Sequence, residues 1–291
     1  MRVLITGTGT GIGLATAVEL GRAGHTVFAT LRNPSRAPEL REIVAQERLP
    51  VSILTMDVDS DESVNQVVGQ LHQNAGALDV LVNNAGIDRM GSIEELPMEA
   101  CRAVMETNYF GSLRCIRAVV PKMRETRSGC IITVTSVAGR IACSPWGPYA
   151  ASKWALEALS EALAQELKPF NIRVAIVQPG IIDTPMATRV GTPGGPSLYP
   201  QGQRMAGLVQ ASLAVPRPPA IVAQKIREII ESGTWKLRHP AGPDADPFLA
   251  WRASMTDEAW IEWGALDDDS WYARVEQDFG LNAHPQKAIT A

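Results

Sequence analysis

The chain has little cysteine, little histidine and no concentrated charge, and each shortage removes a class of function. Among 291 residues there are 4 cysteines, Cys101, Cys115, Cys130 and Cys143, with no C-x-x-C pair. A thiolate-held metal is therefore not expected, and these thiols read as small buried apolar side chains in a reducing compartment. The histidines are His25, His72, His239 and His284, and no G-x-S-x-G elbow occurs. A serine nucleophile would thus lack a recognisable base. Net charge is −4 with no basic block, so neither nucleic acid nor an anionic membrane is expected as partner. No apolar run approaches a membrane span. The opening Met1-Arg-Val-Leu-Ile5 is too brief for a signal peptide, and a cytoplasmic protein is the expectation.

What is present is an ordinary globular composition, 45% hydrophobic and 20% charged, with apolar runs and helical patterns in alternation. Val3-Leu-Ile5 lacks polar alternation, as a strand buried on both faces does. Thr6-Gly7-Thr8-Gly9-Thr10-Gly11-Ile12-Gly13 follows, and then Leu14, Ala17, Val18 and Gly21 recur at helical spacing. Strand, glycine turn and helix together predict a phosphate loop. Without side chains, backbone N–H groups can close on a diphosphate at the helix N-terminus. The spacing is G-x-x-x-G-x-G, on Gly7, Gly11 and Gly13.

Further strands are expected at His25–Thr30, Val51–Met56, Leu78–Val82, Cys130–Thr135, Ile172–Val177 and Trp235–Arg238, with helices between them. That alternation predicts an α/β fold with a doubly wound parallel sheet. A nucleotide enzyme specific for NAD usually carries an acid after the second strand, where Leu31 and Arg32 stand here. A guanidinium suits a 2′-phosphate, which favours NADP(H), with Arg32 as the clamp and Thr10 as a hydroxyl donor. Asp57, before Val58, either accepts from an adenine amino group or caps the helix near Ser60. Asn83-Asn84-Ala85-Gly86 suits a tight turn that a ligand can approach. Asn108-Tyr-Phe-Gly111 interrupts a long helical pattern; it is either a loop between two helices or a distortion that frees a backbone carbonyl.

Pro148 suits the first turn of a helix, which puts Tyr149 and Lys153 on one face near its start. A neighbouring ammonium favours the phenolate, so the Tyr149 pKa is expected to fall. Reaching the neutral range would take about 4 kcal/mol. Ser136 lies at the C-terminal end of a strand, where open parallel sheets bind ligands. Gly191 to Pro200 is rich in breakers and reads as a mobile lid. Trp251, Trp260, Trp263 and Trp271 need cover; the tail that carries them is expected to pack on the domain, roof the pocket or join a partner subunit.

These motifs, in this order over roughly residues 3 to 184, resemble the short-chain dehydrogenase/reductase family. The resemblance implies a Rossmann-like, three-layer domain of about seven strands over residues 1–240, a substrate loop near 185–215 and a tryptophan-rich extension at 241–291. It implies Tyr149 as acid/base, Lys153 on the nicotinamide ribose, Ser136 on the reacting oxygen and Asn108 in a water-linked proton path. Gly7, Thr8, Thr10, Gly11, Ile12, Gly13, Arg32, Asp57, Val58, Asn84, Ala85 and Gly86 would line the cofactor site. So would Tyr149, Lys153, Pro179 and Gly180, with Ile182 and Thr184 near the carboxamide. Val137, Ala138, Trp146 and Ile181 would form an apolar substrate wall, although Trp146 also reads as plain core packing. The implied activity is NADP(H)-linked interconversion of a carbonyl and an alcohol, in a homodimer or homotetramer. The alternatives are an NAD(H)-dependent alcohol or hydroxysteroid-type dehydrogenase, and a redox-sensing regulator without turnover.

Overall fold

Apolar side chains that alternate in direction along buried strands build two cores at once. In β1 (Arg2–Thr6), Val3 and Ile5 face one core and Leu4 the other, as the period of two requires. A computed structural model describes residues 1–192, 195–215 and 217–284. After β1 come α1 (Gly11–Arg22), β2 (Thr26–Leu31), α2 (Pro38–Glu47), β3 (Val51–Thr55), α3 (Asp61–Ala75) and β4 (Val80–Asn83). The chain continues through α4 (Met98–Met105), α5 (Gly111–Thr126), β5 (Gly129–Val134), α6 (Gly147–Leu167) and β6 (Ile172–Pro179). It ends with α7 (Pro185–Val190), α8 (Gln201–Leu213), α9 (Ala220–Ser232), β7 (Arg238–Ala241), α10 (Ala245–Ala253), α11 (Asp257–Ala265) and α12 (Asp268–Phe279).

The seven strands form one parallel sheet in the order β3-β2-β1-β4-β5-β6-β7. The chain steps outward one way from β1 and the other way from β4, so a crevice opens between their C-terminal ends. One core packs α1 and α9 on the sheet, the other α3, α5 and α6. A third core lies outside the sheet, where α8 meets the tail through Met205, Leu208, Val209, Trp271, Tyr272 and Val275. No helix is long and apolar enough to cross a membrane among the described residues.

One local expectation is corrected, and one open choice is decided. The last strand is Arg238–Ala241 rather than Trp235–Arg238. The Trp235 indole lies beneath the Lys168 ammonium at 3.7 Å, outside the ladder, while the Arg238 guanidinium is placed to reach Glu157 and Glu161 on α6. The interruption at Asn108 is a π-type turn, Glu106–Phe110, continuous with α4 and α5. At its Asn108 carbonyl the Ser112 hydroxyl donates at 2.8 Å, which leaves the second lone pair of that oxygen for another donor. Of the expected lid, Pro193 and Gly194 lie outside the described residues. Beyond them Ser197 and Leu198 donate to the Glu95 carboxylate at 2.6 and 3.0 Å.

The tail is fitted closely to α8: a β-carbon on Gly207 would lie 2.1 Å from the Ala283 carbonyl oxygen. Backbone cannot give way as a flexible side chain can. Gly207→Ala is expected to cost about 1–3 kcal/mol, read by urea unfolding, with tryptophan emission shifted to the red as the tail moves off. A variant as stable as the parent would mean that this contact is not tight.

Candidate active site

The crevice, about 370 Å³ in volume, is built first by backbone that needs glycine. Gly7 and Gly11 have φ of +72° and +57°, a region that other residues adopt at a cost. A β-carbon on Gly7 would sit 2.7 Å from the Ala85 Cα, and one on Gly13 would sit 2.2 Å from the Gly7 oxygen. The loop is tied across to the end of β4. The Thr6 hydroxyl accepts from the Asn84 and Ala85 N–H groups at 3.0 and 2.9 Å. In return the Asn84 amide donates to the Thr6 and Gly7 carbonyls at 2.9 and 3.0 Å. At the start of α1, Thr10 makes no capping bond with its side chain, and the first turn holds no acid. Open N–H groups at a helix N-terminus, beside backbone that a β-carbon would block, fit a dinucleotide diphosphate.

At the far edge, the Arg32 side chain is 64% exposed and its Nη1 stands 3.9 Å from Asp59. Asp59 also accepts from Thr107 at 3.0 Å, and burial pushes its carboxyl up. Ser60, not Asp57, caps α3, accepting from Ser63 N–H at 3.2 Å. The Asp57 carboxylate instead accepts from Asp59 N–H at 3.1 Å and lines the crevice with Val58.

Tyr149 and Lys153 leave the first turns of α6 toward the same crevice, where Ser136 stands at the end of β5. Lys153 Nζ is 5.6 Å from the Tyr149 ring centre and donates to the Val134 carbonyl at 3.0 Å. Asn108 fixes the helix from behind. Its amide accepts from Ile87 N–H at 2.8 Å and donates to the Ile87 carbonyl at 3.0 Å. It also donates to Ser152 Oγ at 2.9 Å, and Ser152 Oγ donates to the Tyr149 carbonyl at 2.7 Å.

The expected fall in the Tyr149 pKa is overturned by burial. Desolvation pushes the phenol up to about 12, against a downward pull from the Ser136 hydroxyl and with a further upward push from Asp88. The same desolvation pulls the Lys153 ammonium down to about 8. Both groups resist charge in a dry site, and this outweighs the help each could give the other.

The remaining expected residues fall in three groups. Ile12, Gly86, Val137, Trp146, Pro179, Gly180, Ile181, Ile182 and Thr184 line the crevice with those already named. Thr8 and Asn108 lie behind its surface; Thr8 is fully buried and donates to the Thr30 carbonyl at 3.2 Å. Ala138 faces a second cavity instead, whose wall also includes Val137, Trp146 and Ile181.

Sequence reasoning passed over two buried carboxylates. Glu157 accepts from Thr135 at 2.8 Å, Gln178 at 3.1 Å and Arg238 at 2.8 Å, clamping α6 to three strands. Its position, four residues past Lys153 as Lys153 is past Tyr149, was a readable signal. Asp244 accepts from Ile181 N–H at 2.9 Å and Arg217 at 2.8 Å; nothing local in the sequence marks it.

A glycine loop on one side and a buried phenol and amine on the other give a crevice that can hold a dinucleotide beside a titratable hydroxyl. The family model described as short chain dehydrogenase matches residues 1–193, and the chain belongs to that family. Its relatives include a 3-ketodihydrosphingosine reductase of Bacteroides thetaiotaomicron, 41% identical over 182 residues. That match covers 62% of this chain and 64% of the relative, just under two thirds of its length. Retinol dehydrogenase 8 of Bos taurus is 35% identical over 266 residues, 86% of this chain and 84% of that protein. Among solved structures, a short-chain dehydrogenase from Streptomyces avermitilis superposes with a TM-score of 0.76 at 32% identity. It covers 91% of this chain, which covers 96% of it.

The depressed amine has a measurable consequence. An unfolded Lys holds its proton to about its usual 10.5 and folded Lys153 only to about 8. Between those values the unfolded chain binds more protons, so stability rises with pH. Lys153→Met is expected to be more stable than the parent at pH 7 by about 2 kcal/mol, after allowing for the lost bond to Val134. It should also lose most of the gain in stability between pH 7.5 and 9.5, measured by urea titration. A parent whose stability is flat over that range would contradict the buried-ammonium account.

Proposed function

We propose that the protein interconverts a ketone or aldehyde with the corresponding alcohol, uses NADP(H) in preference to NAD(H), and takes an apolar substrate. The observation that carries this is the meeting of Tyr149, Ser136 and Lys153 with the glycine loop on one crevice. Two relatives support the reaction class by name, a keto reductase and a retinol dehydrogenase. A bound nicotinamide supplies or accepts the hydride; the protein positions and polarises. The Ser136 hydroxyl donates to the reacting oxygen. Tyr149 delivers its proton to that oxygen as negative charge develops there, or removes it in the reverse direction. With its pKa pushed up to about 12, the phenol rests protonated, the form needed for carbonyl reduction. Lys153 lies close enough to offset the charge left on the phenolate. Asn108 is a positioning residue in this scheme, since its bonds fix the first turn of α6 through Ser152.

The preference for NADP(H) rests on Arg32, exposed at the crevice edge, with Leu31 where an acid would repel a 2′-phosphate. Asp59 at 3.9 Å holds part of that guanidinium, so the preference is moderate in size. Assembly into homodimers or homotetramers is part of the proposal. Phe110 and Trp154, 42% and 46% exposed, leave apolar surface by the long helices α5 and α6 for a second copy to cover.

With a panel of apolar ketones, NADPH should be oxidised at least tenfold more efficiently than NADH. Arg32→Glu should raise the KM for NADPH by tenfold or more and change that for NADH little, because a charge-assisted bond is worth about 1.5–3 kcal/mol. A native preference for NADH would remove the role given to Arg32. Tyr149→Phe should bind cofactor as the parent does and lose turnover by two or more orders of magnitude, on the order of what general acid catalysis provides. Retained turnover would exclude Tyr149 as the acid, and a stoichiometric cofactor complex without turnover in the parent would favour a redox-sensing role.

A further inference from the structure

Beside the cofactor crevice lies a second cavity of about 390 Å³, within the usual range of small-molecule sites. Its floor is the substrate side of the domain: Val137, Trp146 and Ile181 belong to the walls of both spaces. Its roof is the tail. The rings of Trp251, Trp260 and Trp263 pack against one another at centroid distances of 5.2 to 5.5 Å, and all three face the cavity. Trp260 is also held down by its indole N–H, which donates to the Ala142 carbonyl at 3.0 Å. A tryptophan cluster pinned to the loop before α6 is rigid lining, and rigid aromatic lining binds at low entropic cost.

The wall is largely aliphatic and aromatic, and Arg204, the cation in it, is only partly paired. Arg204 is 4% exposed; its Nε donates to Asp268 at 2.7 Å and its guanidinium lies 5.8 Å from the Trp271 ring centre, while its Nη1 is buried with no hydrogen-bond partner among the described residues. The chemistry that fits such a wall is a predominantly apolar body.

Resting on the redox reading above, we propose that this cavity is the specificity compartment of the enzyme. It receives the distal part of the substrate, a long alkyl chain or fused-ring body, while the carbonyl end stays at Tyr149 and Ser136. Trp146 stands between the two compartments: its ring is 6.0 Å from that of Tyr149, and it faces both spaces. Leu208 on α8 and Gly264 on α11 line the distal compartment, and the β-carbon position of Gly264 meets nothing within 4 Å. A larger side chain at either site shortens the cavity without touching the reacting groups.

The test compares 2-butanone and 2-dodecanone as substrates for the parent, Leu208→Trp and Gly264→Phe. Folding is checked by circular dichroism, and the two sites guard against a single variant that does not fold. In the parent, kcat/KM should rise about threefold per added methylene until the cavity is full. The gain should appear in KM rather than kcat. In a folded filling variant the ratio of kcat/KM for 2-dodecanone over 2-butanone should fall tenfold or more. Equal efficiency for short and long ketones in the parent, or an equal loss for both in the variants, would overturn the inference and leave the redox reading intact. Binding of 2-dodecanone, read from tryptophan emission, separates the two in the other direction. If the parent binds it, the filling variants do not, and no ketone is ever turned over, the compartment stands and the redox reading falls.

Discussion

The close approach of two backbones at the centre of the sheet is the constraint on which the rest depends. β1 and β4 lie side by side, and their C-terminal loops are laced together by the Thr6 hydroxyl and the Asn84 amide. That lacing works only because position 7 has no side chain to strike Ala85, and position 13 none to strike the Gly7 carbonyl. The Asn84 side chain is spent on the loop itself. Its contribution to a ligand site is to keep the glycine turn open and fixed, so that the α1 N-terminus faces the crevice with its N–H groups unspent.

A second set of bonds holds the chemical half of the site against the first. Glu157 anchors α6 to β5, β6 and β7, Lys153 reaches the end of β5, and Asn108 ties the start of α6 to the segment after β4. The helix that carries the phenol is thus restrained at three successive turns. Precise placement of that kind is what a proton transfer needs, because a misplacement of about 1 Å can cost orders of magnitude in rate. The same enclosure dries the site, and the phenol and the amine pay for it in opposite directions on the pH scale.

Much of this was legible in the sequence because it is local. Gly7, Gly11 and Gly13 announce a loop by spacing, apolar runs announce buried strands, and Pro148 announces the helix on which Tyr149 and Lys153 share a face. What could not be read depends on partners far along the chain. The Tyr149–Lys153 spacing suggests mutual stabilisation of charge, but how strongly a site excludes water is set by every element packed around it. Asp244 and Arg217 are 27 residues apart, and Glu157 meets Arg238 across 81; no period connects either pair. The displaced last strand has the same origin, since its register is decided by pairing with β6 and by two carboxylates on α6. At Asn108 the sequence marked a broken helical pattern, and packing in the fold decides for a π-type turn over a loop.

The division of the chain into a matched part and a tail is also a division of physical labour. Residues 1–193 carry the family's pattern and hold the glycine loop, Ser136, Tyr149 and Lys153 that meet on the crevice. The third core brings in α8 and α12, where Leu208 and Val209 meet Trp271 and Val275, and it shares no strand with the sheet. A tail that packs on a helix rather than on the sheet can change its lining without disturbing strand register or the glycine loop. Val137, Trp146 and Ile181 join the halves: Trp146 stands one turn ahead of the phenol, and the Ile181 N–H is held by Asp244 just past the last strand. A change of shape at the tail can reach the crevice through those shared walls, and through Val190 and Val209 of the third core, which also line it. On the proposed reading, that arrangement would let selection among substrates vary while the chemistry stays fixed.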